Sequence, residues 1–214
     1  MINQAVVNSI RVVQITDTHL FREPSAELLE LNTEESFQCV LNLVRVNETQ
    51  ADIFLATGDI AQDASLEAYK RFLSSMAEFP APLYWIPGNH DRRAVMQKAI
   101  GAGDQFLNCI DAGNWQIVML DSTITGEVHG WLSLAELQHL EAILANADAN
   151  NSHALICLHH NPVPGNSKWM TGIGLRNAAD FFAILDSYQS ARAVLYGHIH
   201  QALDFERHGV RYLC

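Results

Sequence analysis

The run Ile53-Phe-Leu-Ala-Thr-Gly-Asp59 decides how this chain is read. Apolar, β-favouring residues climb to a glycine, and the next side chain is a bare carboxylate. Four other β-favouring runs likewise end at Asp, Asn or His, two of them through a glycine. Residues 11–16 lead into Asp17-Thr-His19, 83–88 into Asn89-His90, 154–158 into His159-His160, and 193–197 into His198-Ile-His200. In an open α/β sheet, ligands bind beyond the carboxyl ends of the strands. The five ends are therefore expected to converge on one metal centre, with Asp59 shared at its middle.

Between these runs the pattern turns helical. Asn32-Thr-Glu-Glu35 carries a capping residue with Glu three positions on, and Phe37, Val40, Leu41 and Val44 follow at helical spacing. Tyr69, Phe72, Leu73 and Met76 mark a second helix, stopped by Pro80 and Pro82. A short helix is expected after Asp91. Ser133-Leu-Ala-Glu136 has the form of a capping box before Leu137, Leu140 and Leu144, and a further helix covers 177–188. Strands are expected over 9–16, 52–57, 115–120 and 153–158. A final pair, 203–206 and 210–213, flanks a turn at His208-Gly209. Residues 17–31 read as a polar loop, and 161–176 as a loop long enough to be functional. Strands alternating with helices argue for α/β layering. The chain stops in what reads as a strand, so a truncated C-terminus is expected.

The 214 residues suit one domain, and 49% hydrophobic with 17% charged residues is ordinary for a globular protein. The opening residues lack the basic and apolar regions of a signal peptide. Cys39, Cys109, Cys157 and Cys214 form no CxxC pair, and read as reduced, buried thiols of a cytoplasmic protein. A formal net charge of −11 argues against nucleic acid as a partner and so against a nuclease. An anionic substrate would then need local positive charge, which divalent metals can supply.

Asp17-x-His19 and His198-x-His200 share a spacing. In an extended segment residues i and i+2 point the same way, so each pair is expected to present two donors to one site. Two Asp, one Asn and four His exceed the needs of one tetrahedral ion, and suit two metals bridged by one carboxylate. Such N/O donors accept Fe, Mn or Zn. Each motif alone has a plainer reading: Asp59 and Asn89 as turn residues, His19 as a loop histidine. Arg22, Arg92, Arg93 and Arg176 are expected to be solvated or structural. Asp63 and Asp121 read as turn acids or acids behind the donor set. Trp169 is a candidate to stack on a base, with packing on its own loop as the alternative.

Asp17-Thr-His19, Gly58-Asp59, Gly88-Asn-His-Asp91, His159-His160 and Gly197-His-Ile-His200 resemble the calcineurin-like metallophosphoesterase signature. The runs 15–21, 32–33, 120–122, 126–132, 158–162, 175–177 and 197–201 further resemble the bacterial class III 3′,5′-cyclic-AMP phosphodiesterases. The resemblance implies a four-layer α-β-β-α sandwich of the metallo-dependent phosphatase type, with two packed mixed sheets flanked by helices. It implies two divalent ions per chain, with Fe or Mn favoured and Zn admitted. Asp17, His19 and His200 would hold the first, Asn89, His159 and His198 the second, and Asp59 would bridge them. His90 would act as general acid or stabilise charge. His19, Asp59, Asn89, His90 and His200 would line the phosphate pocket. His160 would stand behind the donors or toward the substrate, unless it is merely structural. The implied reaction is hydrolysis of 3′,5′-cyclic AMP to 5′-AMP by metal-bound hydroxide, without nucleic-acid or membrane partners and with a homodimer left open. Other small diesters, such as 2′,3′-cyclic nucleotides or glycerophosphodiesters, are the alternative substrates. A non-catalytic scaffold is the alternative class. Family members continue past the position of Cys214 with another core strand and a C-terminal segment.

Overall fold

The computed structural model of the protein describes residues 9–164 and 172–214. In chain order the elements are β1 (Val12–Ile15), β2 (Glu27–Leu28), β3 (Leu31–Asn32), α1 (Thr33–Asn47), β4 (Ile53–Ala56), α2 (Leu66–Met76), β5 (Leu83–Trp85), α3 (Arg93–Ile100), β6 (Cys109–Ala112), β7 (Trp115–Met119), α4 (Leu134–Ala149), β8 (His153–Cys157), α5 (Ala178–Leu185), β9 (Ala191–Leu195), β10 (Asp204–Arg207) and β11 (Val210–Leu213).

Two sheets stack face to face. The smaller has the order β1-β4-β5, the larger β10-β11-β9-β8-β7-β6. Strand alternation sorts the side chains into layers. On β4, Ile53 and Leu55 face the larger sheet and meet Ile117, Met119, Cys157 and Leu195. Their neighbours Phe54 and Ala56 face the other way, against Phe37 and Leu41 of α1, Tyr69 and Phe72 of α2, and Met96 of α3. Across the larger sheet, Val118, Ile156 and Val194 pack on Leu140 and Leu144 of α4 and on Phe181 and Leu185 of α5. The result is the expected α-β-β-α sandwich.

The sheets differ from expectation in one respect. The larger is mixed, with antiparallel pairs β6–β7 and β10–β11, but both pairings of the smaller are parallel. Each of its strands returns through a helix, which delivers the next strand in the same direction. As a consequence β1, β4, β5, β8 and β9 all end at one rim.

The helix starts follow the capping residues. Asn32 Oδ1 accepts from Glu35 N at 2.9 Å, and Ser133 Oγ from Glu136 N at 3.2 Å. The Glu136 carboxylate does not close the reciprocal half of a capping box; it accepts from Asp121 N at 3.2 Å. His208 and Gly209 both have positive φ, 52° and 79°, as the two-residue turn between β10 and β11 requires. Two elements were not legible as strands. The β2–β3 hairpin lies inside the polar loop, and β6 precedes β7 as its antiparallel partner. Cys157 is buried but Cys39 is exposed, against expectation, because it sits on the outer face of α1 between Phe37 and Leu41.

Candidate metal centre

The five runs carry their polar residues past the ends of β1, β4, β5, β8 and β9, and these converge. Oxygen and nitrogen atoms of Asp17, His19 and His200 lie within 4.8 Å of one another, as do those of Asp17, Asp59 and His159. The loops are held together by backbone bonds that continue the strand pairing. Asp17 N donates to Gly58 O at 3.0 Å, His19 N to Asp59 O at 2.9 Å, and Gly197 N to His159 O at 3.1 Å.

The two-apart spacing works by a route other than the expected one. Asp17, His19, Asp59, His198 and His200 all have positive φ, between 45° and 73°, so none is extended. A non-glycine side chain there costs about 1–3 kcal/mol, and persists where its surroundings impose it. Asp17 and His19 join one cluster, whereas His198 and His200 part company. His200 Nε2 lies 3.4 Å from Asp17 Oδ1. The His198 ring instead sits 5.0 Å from that of His159.

Three glycines make the approach close enough. A Cβ on Gly88 would fall 2.2 Å from Asp59 Oδ1, one on Gly197 2.4 Å from Asp17 Oδ2, and one on Gly58 2.5 Å from His159 Nδ1. In the three runs that end in glycine, the missing side chain is thus the space a neighbouring run's Asp or His occupies.

The donor set fits divalent cations. His19 Nε2 and His200 Nε2 face each other at 3.0 Å, and two imidazole nitrogens turned to one point suit a cation there. Asp59 Oδ2 lies 3.8 Å from His19 Nε2 and 3.4 Å from His159 Nε2, so one oxygen stands between the two groups. Asn89 Oδ1 lies 3.2 Å from His159 Nε2. Several outer nitrogens are engaged, which orients the inner ones. His159 Nδ1–H donates to Thr57 O at 2.8 Å, and His198 Nε2–H to Ile173 O at 3.1 Å. His19 Nδ1 lies 2.7 Å from Gln62 Oε1.

The electrostatics follow from burial and crowding. Burial works against the charged carboxylate of Asp59, but the His159 charge and hydrogen bond overcome it and hold the acid well below its usual range. Burial also works against a charged His159, yet Asp59 raises it to about 9. His198 is pushed down to about 4 by burial and by the His159 charge.

His160 has ring nitrogens near those of His159 and His198, yet it has no lone pair to offer. Ser122 Oγ accepts from His160 N at 3.3 Å and lies 2.8 Å from His160 Nδ1, to which its hydroxyl donates once the proton of the neutral ring is on Nε2. Val128 O can only accept, so Nε2 carries the proton and donates to it at 3.2 Å. His160 is a neutral imidazole behind the donors, with ring centroids 5.0 Å from His159 and 4.8 Å from His198.

His90 N donates to Asp59 Oδ1 at 2.8 Å, and its ring stands edge-on to His19 with centroids 5.1 Å apart. His90 Nδ1 lies 3.4 Å from Gln62 O, leaving Nε2 as the nitrogen to meet a substrate. Asp63 accepts from Arg22 N and Ser65 N, and Asp121 from Thr123, as turn acids do. Arg93 pairs with Asp121 and stacks on Phe106. Trp169 lies outside the described residues.

One residue of this site went unassigned in the sequence. Asp91 accepts from Ile60 N, Ala61 N, Gly88 N and Tyr69 O–H, all between 2.9 and 3.2 Å. It ties the loop of Asp59 to that of Asn89. Burial, with the Asp59 charge behind it, raises its carboxyl to about 6. The signal available was its place three residues after Gly88, where a turn acid can reach back to backbone N–H groups.

No described helix is long and apolar enough to cross a membrane. The calcineurin-like phosphoesterase family model matches residues 10–202. The chain is 42% identical over 205 residues to the 3′,5′-cyclic adenosine monophosphate phosphodiesterase CpdA of Pseudomonas aeruginosa, covering 96% of this chain and 75% of that one. Against CpdA of Escherichia coli K12 the identity is 43%, with 95% and 74% covered. A 3′,5′-cyclic-nucleotide phosphodiesterase of Nostoc is 36% identical, with 95% and 76% covered. Among solved structures, a dimetal phosphatase from Danio rerio superposes with a TM-score of 0.75 at 15% identity, over 95% of this chain and 86% of that one. A purple acid phosphatase from yellow lupin seeds gives 0.66 at 14%, over 92% and 39%. Motif, fold and donor geometry agree with these matches, and the chain belongs to the calcineurin-like phosphoesterase family.

Proposed function

We propose that this protein is a dinuclear-metal phosphodiesterase that hydrolyses 3′,5′-cyclic AMP to 5′-AMP within a single domain. The observation that carries the dinuclear reading is Asp59 Oδ2, set between His19 Nε2 and His159 Nε2. The substrate rests on the relatives, more than a third identical over nearly the whole chain and named as cyclic-nucleotide phosphodiesterases.

Asp17, His19 and His200 hold one cation, Asn89, His159 and His198 the other, and Asp59 both. Fe or Mn is proposed, since this N/O set suits either. When bound, the pair supplies positive charge to the phosphate oxygens and an acidified water. The chain's own groups do the rest. Asn89 and His90 extend past β5 beside Asp59, and the His90 ring stands against that of His19, so these side chains gather where the phosphate would sit. His90 Nε2, turned away from Gln62 O, carries the proton that the departing 3′ oxygen needs. The Thr57, Ile173 and Gln62 oxygens hold three imidazoles in register, so no reorganisation is needed as charge develops.

The test is a substrate panel with purified, Mn-loaded protein. Turnover of 3′,5′-cyclic AMP above 3′,5′-cyclic GMP and 2′,3′-cyclic AMP is the expected result. Preference for the 2′,3′ isomer would reassign the substrate, and no hydrolysis of any diester would overturn the enzyme reading.

A further inference from the structure

We propose that Gln62 is a positioning residue that holds the metal ligand His19 and the proton donor His90 from one point, so that the acid stands in a set place relative to the first cation. This rests on the phosphodiesterase reading above and deepens it, by naming what joins ligand and acid.

Gln62 carries two carbonyl oxygens, and each faces one of these histidines. The side-chain Oε1 lies 2.7 Å from His19 Nδ1, and the backbone oxygen lies 3.4 Å from His90 Nδ1. A carbonyl can only accept, so each Nδ1 carries a hydrogen. For His19 this leaves the lone pair on Nε2, the nitrogen that faces His200 Nε2 at 3.0 Å. The other tautomer would put a hydrogen at the point where a cation has to bind. The His19 and His90 rings meet edge-on, with 80° between their planes, so neither turns without disturbing the other.

The segment that carries Gln62 is pinned to both loops. Gln62 N donates to Leu20 O and Leu20 N to Ile60 O, each at 2.9 Å, which ties it to the loop of Asp17 and His19. Ile60 N and Ala61 N donate to Asp91, which ties it to the loop of Asn89 and His90. The kind of acceptor is also telling. His159 and His198 are held by the backbone oxygens of Thr57 and Ile173, which any residue supplies. The backbone oxygen of Gln62 already faces His90, so the acceptor for His19 comes from the side chain. Among the described residues the Gln62 amide nitrogen has no partner, and His19 is the one group its side chain bonds. Glu would present an oxygen at the same length, whereas Asn falls one methylene short.

The experiment uses the Mn-loaded protein with Gln62→Met, which keeps the length and removes the acceptor, and Gln62→Glu, which keeps the acceptor. Thermal melting verifies that each variant is folded. Metal content is followed by elemental analysis against rising chelator. Gln62→Met is expected to release one of its two ions at about tenfold lower chelator than the wild type, an effect of the size seen for groups behind a ligand. Gln62→Glu is expected to keep both. With Mn in excess, kcat for cyclic AMP is expected to fall about tenfold in Gln62→Met with KM little changed, and to return in Gln62→Glu. In a His90→Ala background Gln62→Met is expected to cost less than about twofold more, because it acts through His90. Equal retention of both ions by the wild type and Gln62→Met would overturn the proposal. So would an unchanged kcat, losses that multiply in the double variant, or a Glu that fails to restore what Met removes. If the wild type turns over no diester, the phosphodiesterase reading fails, and metal retention alone decides whether Gln62 positions His19.

Discussion

The two halves of the centre are built differently. The half with His159 is sealed: that side chain is fully buried, and Thr57, Ser122 and Val128 surround it and its neighbour His160. In the half with His200 that side chain alone is open, 49% exposed, while the Asp17 and His19 side chains beside it are buried. Burial makes a donor set rigid and slow to exchange, whereas exposure lets a substrate reach it. The contrast rests on His200, the one donor of its half that solvent reaches.

Asp59 joins the halves, so changing it should have the largest effect. In Asp59→Asn one shared oxygen becomes a neutral amide, either half loses its common anion, and His159 loses the charge that holds it. Activity is expected to fall by at least about a thousandfold, with metal content below two ions per chain by elemental analysis. Two ions and near-normal turnover would show that the halves are independent.

His90→Ala comes next and bears on the open side alone. Loss of a proton donor costs about 10²–10⁴ in rate. Metal content should be unchanged, because the hydrogen bond that joins His90 to Asp59 is made by its backbone N–H and survives the substitution. A parallel loss of metal would make His90 a ligand and not an acid.

Asp91→Asn acts on the frame beneath both halves. An amide cannot accept at both ends, so N–H groups among Ile60, Ala61 and Gly88 would be left facing a donor. Stability is expected to drop by about 2 kcal/mol, seen as a lower urea midpoint with unchanged slope. Full stability would mean the loops of Asp59 and Asn89 hold their shape without it.

Most of this frame was legible in the residues. Buried strands announce themselves by continuous apolar runs, and a glycine followed by Asp, Asn or His leaves little doubt where the polar ends gather. The helices at Asn32 and Ser133 were legible for the same local reason, a cap one residue before the first turn. What the residues did not disclose is long-range or too short. The β2–β3 hairpin has two residues per strand, below any periodic signal. The parallel order of the smaller sheet is a property of pairing across the chain, not of any one strand. The positive φ at Asp17 and His198 arises from neighbouring loops, so an extended reading of D-x-H and H-x-H named the right residues for the wrong geometric reason. The role of Asp91 was hidden because three of its four partners are backbone N–H groups, which the sequence does not display.

The finest distinction concerns His160 within the sealed half. If its ring only positions His159 and His198, His160→Ala should weaken occupancy of one of the two metal sites about tenfold, the size of effect typical of groups behind a ligand. The other site should be untouched in a two-step Mn titration. Ser122→Ala separates this from direct ligation. Removing the hydroxyl takes away the hydrogen that occupies His160 Nδ1 and frees that lone pair. A ligating His160 would then bind metal as well as before or better. A positioning His160 would lose its anchor, and the same site should weaken by a few-fold, in the direction of His160→Ala but short of it. Tighter metal binding in Ser122→Ala would make the sealed half a three-histidine site, and the difference between the two halves would then be one of ligand count and not of burial.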